Sequence, residues 1–205
     1  MRVATLVLSI LLFSGCASQI VEPSYYLLRS QQKLPSGELT PSEDFSLGNV
    51  VIASYLDQPG LVMETEGGQL RPARQNLWAE PVYEGVRNII FVEIAQAMGE
   101  ELLPSKLSKG TTVVDIRISE LHGTYDGEAK LVAYWWLERD GKVLSSYRFT
   151  EVTSLTASGY SALVDAETAL LKELSQKISA SLVAPAATGP KAQPLGVLRV
   201  NPSEI

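Results

Sequence analysis

The 205-residue sequence predicts an α/β domain of the α+β two-layer sandwich type, a mixed sheet of about six strands with two amphipathic helices on one face. Three observations predict it. Residues 81–98 and 159–183 repeat apolar side chains at helical spacing. Short β-rich runs precede the first of these stretches. Asp140-Gly141 joins two longer β-rich runs, and this dipeptide suits a type I′ turn, which needs positive φ at both positions.

The chain opens on Met1-Arg2, a short basic start, followed by an apolar run over 3–13 and then Ser14-Gly15-Cys16. About eleven apolar residues are too few to span a bilayer, which takes roughly 20. The pattern is that of a secretory signal. A cysteine directly after Ser-Gly resembles the bacterial lipobox, with Phe13 where Leu is usual. That resemblance implies cleavage after residue 15 and acylation of Cys16, the one cysteine in the chain. Each buried acyl methylene contributes about 0.8 kcal/mol, so several chains anchor a protein durably. Ala17, in place of a retaining Asp, implies sorting to the outer membrane, facing the periplasm. Residues 16–23 read as a tether.

Strands follow at 24–29, with Tyr25-Tyr26-Leu27-Leu28, and at 47–53, nearly all apolar and so covered on both faces. Residues 31–44 form a polar loop, and 55–60 are rich in turn formers. A third strand at 61–66 returns through Gly67-Gly68 as a short fourth at 69–71. Asn76 onwards then reads as a lead into a helix whose first turn holds Pro81, where a missing N–H costs nothing. Trp78 is assigned to the core and Glu80 to capping. Val82, Val86, Ile89, Ile90, Ile94, Ala97 and Met98 make the buried stripe, and Gly99 the stop.

The second half reads as a meander, with strands at 112–121, 128–139 and 143–153. A two-residue turn at Asp140-Gly141 sets Leu137 opposite Leu144, Trp136 opposite Ser145, Trp135 opposite Ser146, Tyr134 opposite Tyr147 and Val132 opposite Phe149. Lys130 then faces Glu151. In that register Leu131, Trp135 and Leu137 pack under the helices. Tyr134, Trp136, Tyr147 and Phe149 form an aromatic patch on the other face, a candidate contact surface. The last helix, 159–183, buries Leu163, Leu170, Leu171, Leu174, Ile178 and Leu182, with Asp165 and Glu167 near its start and Lys177 near its end, as the helix dipole favours. Residues 184–205, rich in Ala, Pro and Gly, predict a mobile tail. The domain therefore runs over 24–183, after a signal peptide at 1–15.

Composition excludes whole classes. A net charge of −6, one unit more acidic once Arg2 is cleaved away, opposes nucleic-acid binding. One histidine, His122 beside Gly123, cannot build a His-rich metal site, and it reads as a surface residue near a turn. No nucleophile elbow, phosphate loop or dinucleotide fingerprint is present. Glu64, Glu66, Glu100 and Glu101 read as solvated. The inventory is that of a binding or structural protein without catalysis, cofactor or metal.

Tyr25-Tyr26-Leu27-Leu28, then Val50-Val51-Ile52 running into Tyr55-Leu56-Asp57-Gln58-Pro59, then Leu77-Trp78-Ala79-Glu80-Pro81 opening a helix, resemble the PqiC-type family. These are auxiliary lipoproteins of MCE-protein lipid transport systems. Gln58 and Leu77 stand where the family often has Arg, and Ala53-Ser54 where Leu-Pro is common. The resemblance implies a non-enzymatic outer-membrane lipoprotein that docks an MCE protein, supports envelope integrity and assembles as a homo-oligomeric ring. It marks Tyr55, Leu56, Asp57, Pro59, Trp78, Glu80 and Pro81 as motif or partner-contact positions. A lipoprotein chaperone or assembly factor for outer-membrane components is the alternative.

Overall fold

The computed structural model describes residues 21–31, 40–108 and 112–183. Cys16 and the segments expected to form a signal peptide and a tail lie outside them. A single mixed sheet holds seven strands among the described residues, and two helices pack on it. The strands are β1 (Ser24–Tyr26), β2 (Phe45–Ile52), β3 (Gly60–Glu64), β4 (Leu70–Trp78), β5 (Thr112–Gly123), β6 (Glu128–Arg139) and β7 (Lys142–Ser154). The helices are α1 (Val82–Met98) and α2 (Tyr160–Val183). The sheet runs β1-β4-β3-β5-β6-β7, and β2 lies beside β5 in parallel. One flank of β5 is thus shared. β2 accompanies it as far as Ile118, and β3 meets it at Gly123.

Both helices bury the stripes their spacing predicts. Val82, Val86, Ile89, Ile90 and Ile94 are sealed in α1, although Ala97 is exposed and Met98 half-buried where the helix runs out. In α2, Leu163, Leu170, Leu171, Leu174, Ile178 and Leu182 are all buried. The helices pack on each other, and α2 lies over β6 and its neighbours. Trp135 on β6 donates its indole N–H to Ser181 Oγ at 3.0 Å, which ties the last turn of α2 to the sheet.

Three expectations about the sheet need correction. β1 ends at Tyr26, three residues early, with Leu28 instead packed into the core. β4 is longer than the predicted 69–71 and runs through Pro72 to Trp78. A proline fits there because β1 pairs only with Asn76, Leu77 and Trp78, so β4 is an edge strand at Pro72.

The third concerns register. Asp140-Gly141 does form the tight turn, with φ of 51° and 70°, and Arg139 pairs with Lys142. A bulge then inserts Leu144. Leu137 faces Ser145, Trp136 faces Ser146, Trp135 faces Tyr147, Tyr134 faces Arg148 and Ala133 faces Phe149. Tyr147 and Phe149 consequently turn to the helix-covered face. Phe149 is buried there, and Tyr147 stacks on Trp135 at 4.9 Å. Burying a Phe contributes about 1.5–3 kcal/mol, against about 0.5–1.5 for a typical ladder hydrogen bond, so the bulge prevails. The open face keeps only Tyr134 and Trp136 of the predicted patch. Lys130 pairs with Glu120 at 2.7 Å rather than with Glu151.

Candidate docking cleft

The two motifs meet in space. Ala53 N–H reaches the Ile118 carbonyl at the end of β2, and Ser54, Tyr55 and Leu56 then make one 3-10 turn. Leu56 is driven into the core and is 3 % exposed. Gln58 closes the turn on itself, its Nε2 donating to the Tyr55 carbonyl at 2.6 Å. The Pro59 carbonyl accepts the Trp78 N–H at 2.7 Å, which fastens the first motif to the second. Gly60 lies opposite Leu77 and admits no side chain, since a Cβ there would stand 2.3 Å from the Ala73 carbonyl oxygen.

The second motif closes the other wall. Trp78 is buried to 9 % exposure, as the core assignment expects. Pro81 directly precedes α1. Glu80 does not cap the helix, because no side chain caps α1. Its carboxylate takes the Arg29 guanidinium in a two-pronged pair, with Nη2 to Oε2 at 2.7 Å and Nη1 to Oε1. That guanidinium holds the Glu80 carboxyl below the ordinary range. The pair is largely exposed and adds little stability, so its use is to fix the carboxylate in place. Arg29 lies in no recognisable sequence pattern, and only the fold brings it to Glu80.

Between the walls lies a cleft of about 360 Å³ lined by Asp57, Gln58, Pro59, Trp78, Glu80 and Pro81. Its surface is chiefly apolar, with Pro59, Trp78 and Pro81 in the lining beside the carboxylates of Asp57 and Glu80. A neighbouring groove of about 320 Å³ shares Glu80 and continues past Arg29, Glu84 and Arg87 along α1. Tyr55 and Leu56 stand behind the cleft rather than in it. Tyr134 and Trp136 do not line it. They lie half-buried on the open face of the sheet, where the Arg148 guanidinium sits 5.9 Å from the Tyr134 ring. Tyr147 belongs to neither group.

Behind the turn is a polar core that the sequence does not reveal. His122, expected at the surface, is 3 % exposed. Past Ile118 the β5 flank has lost β2 and has not yet met β3. There the Tyr55 hydroxyl takes the Leu121 N–H at 3.1 Å and reaches His122 Nδ1 at 3.0 Å. His122 Nε2 lies 3.7 Å from Glu64 Oε2. Burial pushes the imidazole below its ordinary value, the nearby Glu120 and Glu64 charges opposing it, and pushes the Tyr55 phenol up to about 12. Glu167, expected to serve the helix dipole, is fully buried with Oε2 unpartnered, and desolvation raises its pKa to about 8. No three His, Cys, Asp or Glu residues among the described ones are grouped to hold a metal, and none of the described helices is long and apolar enough to cross a membrane.

Residues 25–179 match the family model described as the ABC-type transport auxiliary lipoprotein component. The chain is 26 % identical over 160 residues to the intermembrane transport lipoprotein PqiC of Escherichia coli K12, covering 74 % of this chain and 81 % of that one. PqiC of Shigella flexneri matches equally. Among solved structures, a crystal structure of an uncharacterized protein superposes with a TM-score of 0.66 at 21 % identity, covering 79 % of this chain and 99 % of that one. Protein XCC0632 from Xanthomonas campestris superposes with a TM-score of 0.56 at 15 % identity, covering 76 % and 92 %. These two share the fold. The extent of the family match, which takes in most of β1, both motifs and nearly all of α2, makes the chain a member of the ABC-type transport auxiliary lipoprotein family.

Proposed function

We propose that this chain is a non-catalytic periplasmic lipoprotein, anchored to the outer membrane through acylated Cys16, that docks the MCE-type protein of an intermembrane lipid transport system and supports envelope integrity. Residues 1–15 are removed, 16–23 tether the domain, 24–183 form it, and 184–205 extend beyond it as a tail. Several copies assemble as a ring. The observation that carries the reading is the convergence of the two motifs on one open, chiefly apolar cleft. An indole and two prolines are rigid, apolar surfaces that immobilise little on contact, which suits recognition. Asp57 and Glu80 at the rim favour a partner segment that sets an apolar side chain beside a basic one.

Co-purification from membranes tests this. The full mature chain should bring down the MCE protein, and Asp57→Lys should cut that recovery by about tenfold, the loss of one interfacial contact of about 1.4 kcal/mol, with unchanged thermal stability. Equal recovery by the variant would remove the cleft from the interface. Recovery of outer-membrane proteins without an MCE protein would favour the chaperone reading. Intact-mass measurement of the mature N-terminus checks Cys16 for acyl chains.

A further inference from the structure

The turn that shapes one wall of the cleft is fastened from behind by a histidine. We infer that His122 is a positioning residue, holding Tyr55, and through it the wall formed by Gln58 and Pro59, in place only while its imidazole is neutral. The functional meaning rests on the docking reading above, whereas the geometry stands without it.

The Tyr55 hydroxyl has one proton to give, and it already accepts the Leu121 N–H. Among the described residues the acceptor in reach of that proton is His122 Nδ1, 3.0 Å away, and satisfying the buried phenol requires this nitrogen to be unprotonated. The ring hydrogen then sits on Nε2, facing Glu64. Protonating the ring makes both nitrogens donors. Nδ1–H and Leu121 N–H would converge on one phenol oxygen, and the phenol proton would lose its acceptor in a site from which water is largely shut out.

The strain has a direct route to the cleft. Tyr55 is held at both ends, by its hydroxyl on β5 and by Gln58 Nε2 on its carbonyl. The next residues, Asp57, Gln58 and Pro59, line the cleft, and the Pro59 carbonyl holds Trp78.

Charges reach this site from every element packed on it. Glu64 on β3 and Glu120 on β5 favour the imidazolium, while Lys130 on β6 opposes it. Glu167 on α2 acts on the Tyr55 phenol. Burial outweighs the carboxylates and lowers the imidazole below 6.5. A base depressed in the fold binds fewer protons there than in the unfolded chain. The network is therefore intact at neutral pH and weakens as pH falls below 6.5 through the folded value.

Hydrogen exchange of the full mature chain, read by mass spectrometry and corrected for the intrinsic pH dependence of exchange, tests the inference. In the wild type, protection of residues 54–60 should fall by about tenfold or more between pH 7.5 and 5, the change expected when one group titrates across a pKa unit. His122→Asn keeps an acceptor for the phenol without a titrating ring, and should hold protection level across that range. Glu64→Gln, at a half-exposed position, should move the midpoint to lower pH, because the imidazolium loses its nearest carboxylate. A level wild-type profile, a parallel fall in His122→Asn, or an unmoved midpoint in Glu64→Gln would each overturn the inference. If His122→Asn does not fold, the Glu64→Gln midpoint decides alone. MCE-protein recovery measured at the same pH values separates the two readings. Altered protection with constant recovery leaves His122 in its role and removes the cleft from docking, whereas pH-dependent recovery with constant protection does the reverse.

Discussion

Two regions of this molecule set aromatic side chains against an open surface, Trp78 nearly buried beneath the cleft and Tyr134 and Trp136 half-buried on the sheet, and they are held in opposite ways. The Tyr55–Pro59 wall of the cleft is fixed by a few polar contacts, although Trp78 itself ends a strand paired with β1. One phenol serves two partners, one carbonyl holds an indole-bearing backbone, and one guanidinium clasps a carboxylate. The open face around Tyr134 and Trp136 is fixed by repeated strand pairing with β5 and β7, where each residue is supported by several neighbours. A surface held by a few specific bonds can be displaced by one proton or one methyl group. A surface held by a ladder absorbs such changes. On the proposed reading, the difference makes the cleft the part of the domain that a partner or a change of pH would address.

The largest test of this contrast is Gly60→Ala. Its φ is not positive, so the alanine would suffer no backbone strain, only collision with the Ala73 carbonyl oxygen. Overpacking against backbone that cannot yield should cost about 3 kcal/mol, lowering the melting temperature by about 6–12 °C in a domain of this size.

Next in size is Glu167→Gln, beneath the cleft. Glu167 is an acid raised from 4.5 to about 8 in the fold, so between these values the native state holds a proton that the unfolded chain has lost. Its contribution therefore turns unfavourable as pH rises through that window. The variant should gain on the wild type by about 2–3 kcal/mol between pH 5 and pH 7, read as diverging melting temperatures. Parallel curves would mean the carboxyl is solvated.

The smallest effect belongs to the hairpin. At Gly141→Ala nothing stands within 4 Å of the new Cβ, and only the left-handed φ of 70° opposes it. The cost should be about 1 kcal/mol, visible in thermal melts. An equal loss at Gly60 and Gly141 would erase the distinction between the two regions.

The same contrast governs what was readable in advance. Helical stripes such as Val86, Ile89 and Ile90 announce themselves because burial and periodicity are one property. Asp140-Gly141 announces a turn because φ is a local matter. The position of Leu144 in a bulge is not local. It follows from the demand of Phe149 for a place under α2, which no two-residue signal contains. The two motifs showed where the cleft residues are, but not that Arg29 would clasp Glu80. Nor did a lone histidine beside a glycine disclose its burial, since the space that receives it exists only where β2 leaves β5 and before β3 arrives.

That interval has a consequence for how the sheet tolerates change. Every residue but proline brings a peptide rung, so most of a ladder survives substitution along it. Here one rung is a phenol and is written at a single codon. Position 55 is thus not free to vary as surface turns are. Replacing it would open a joint between the two halves of the sheet, and any sequence that altered the recognition turn would first have to find another way of closing that joint.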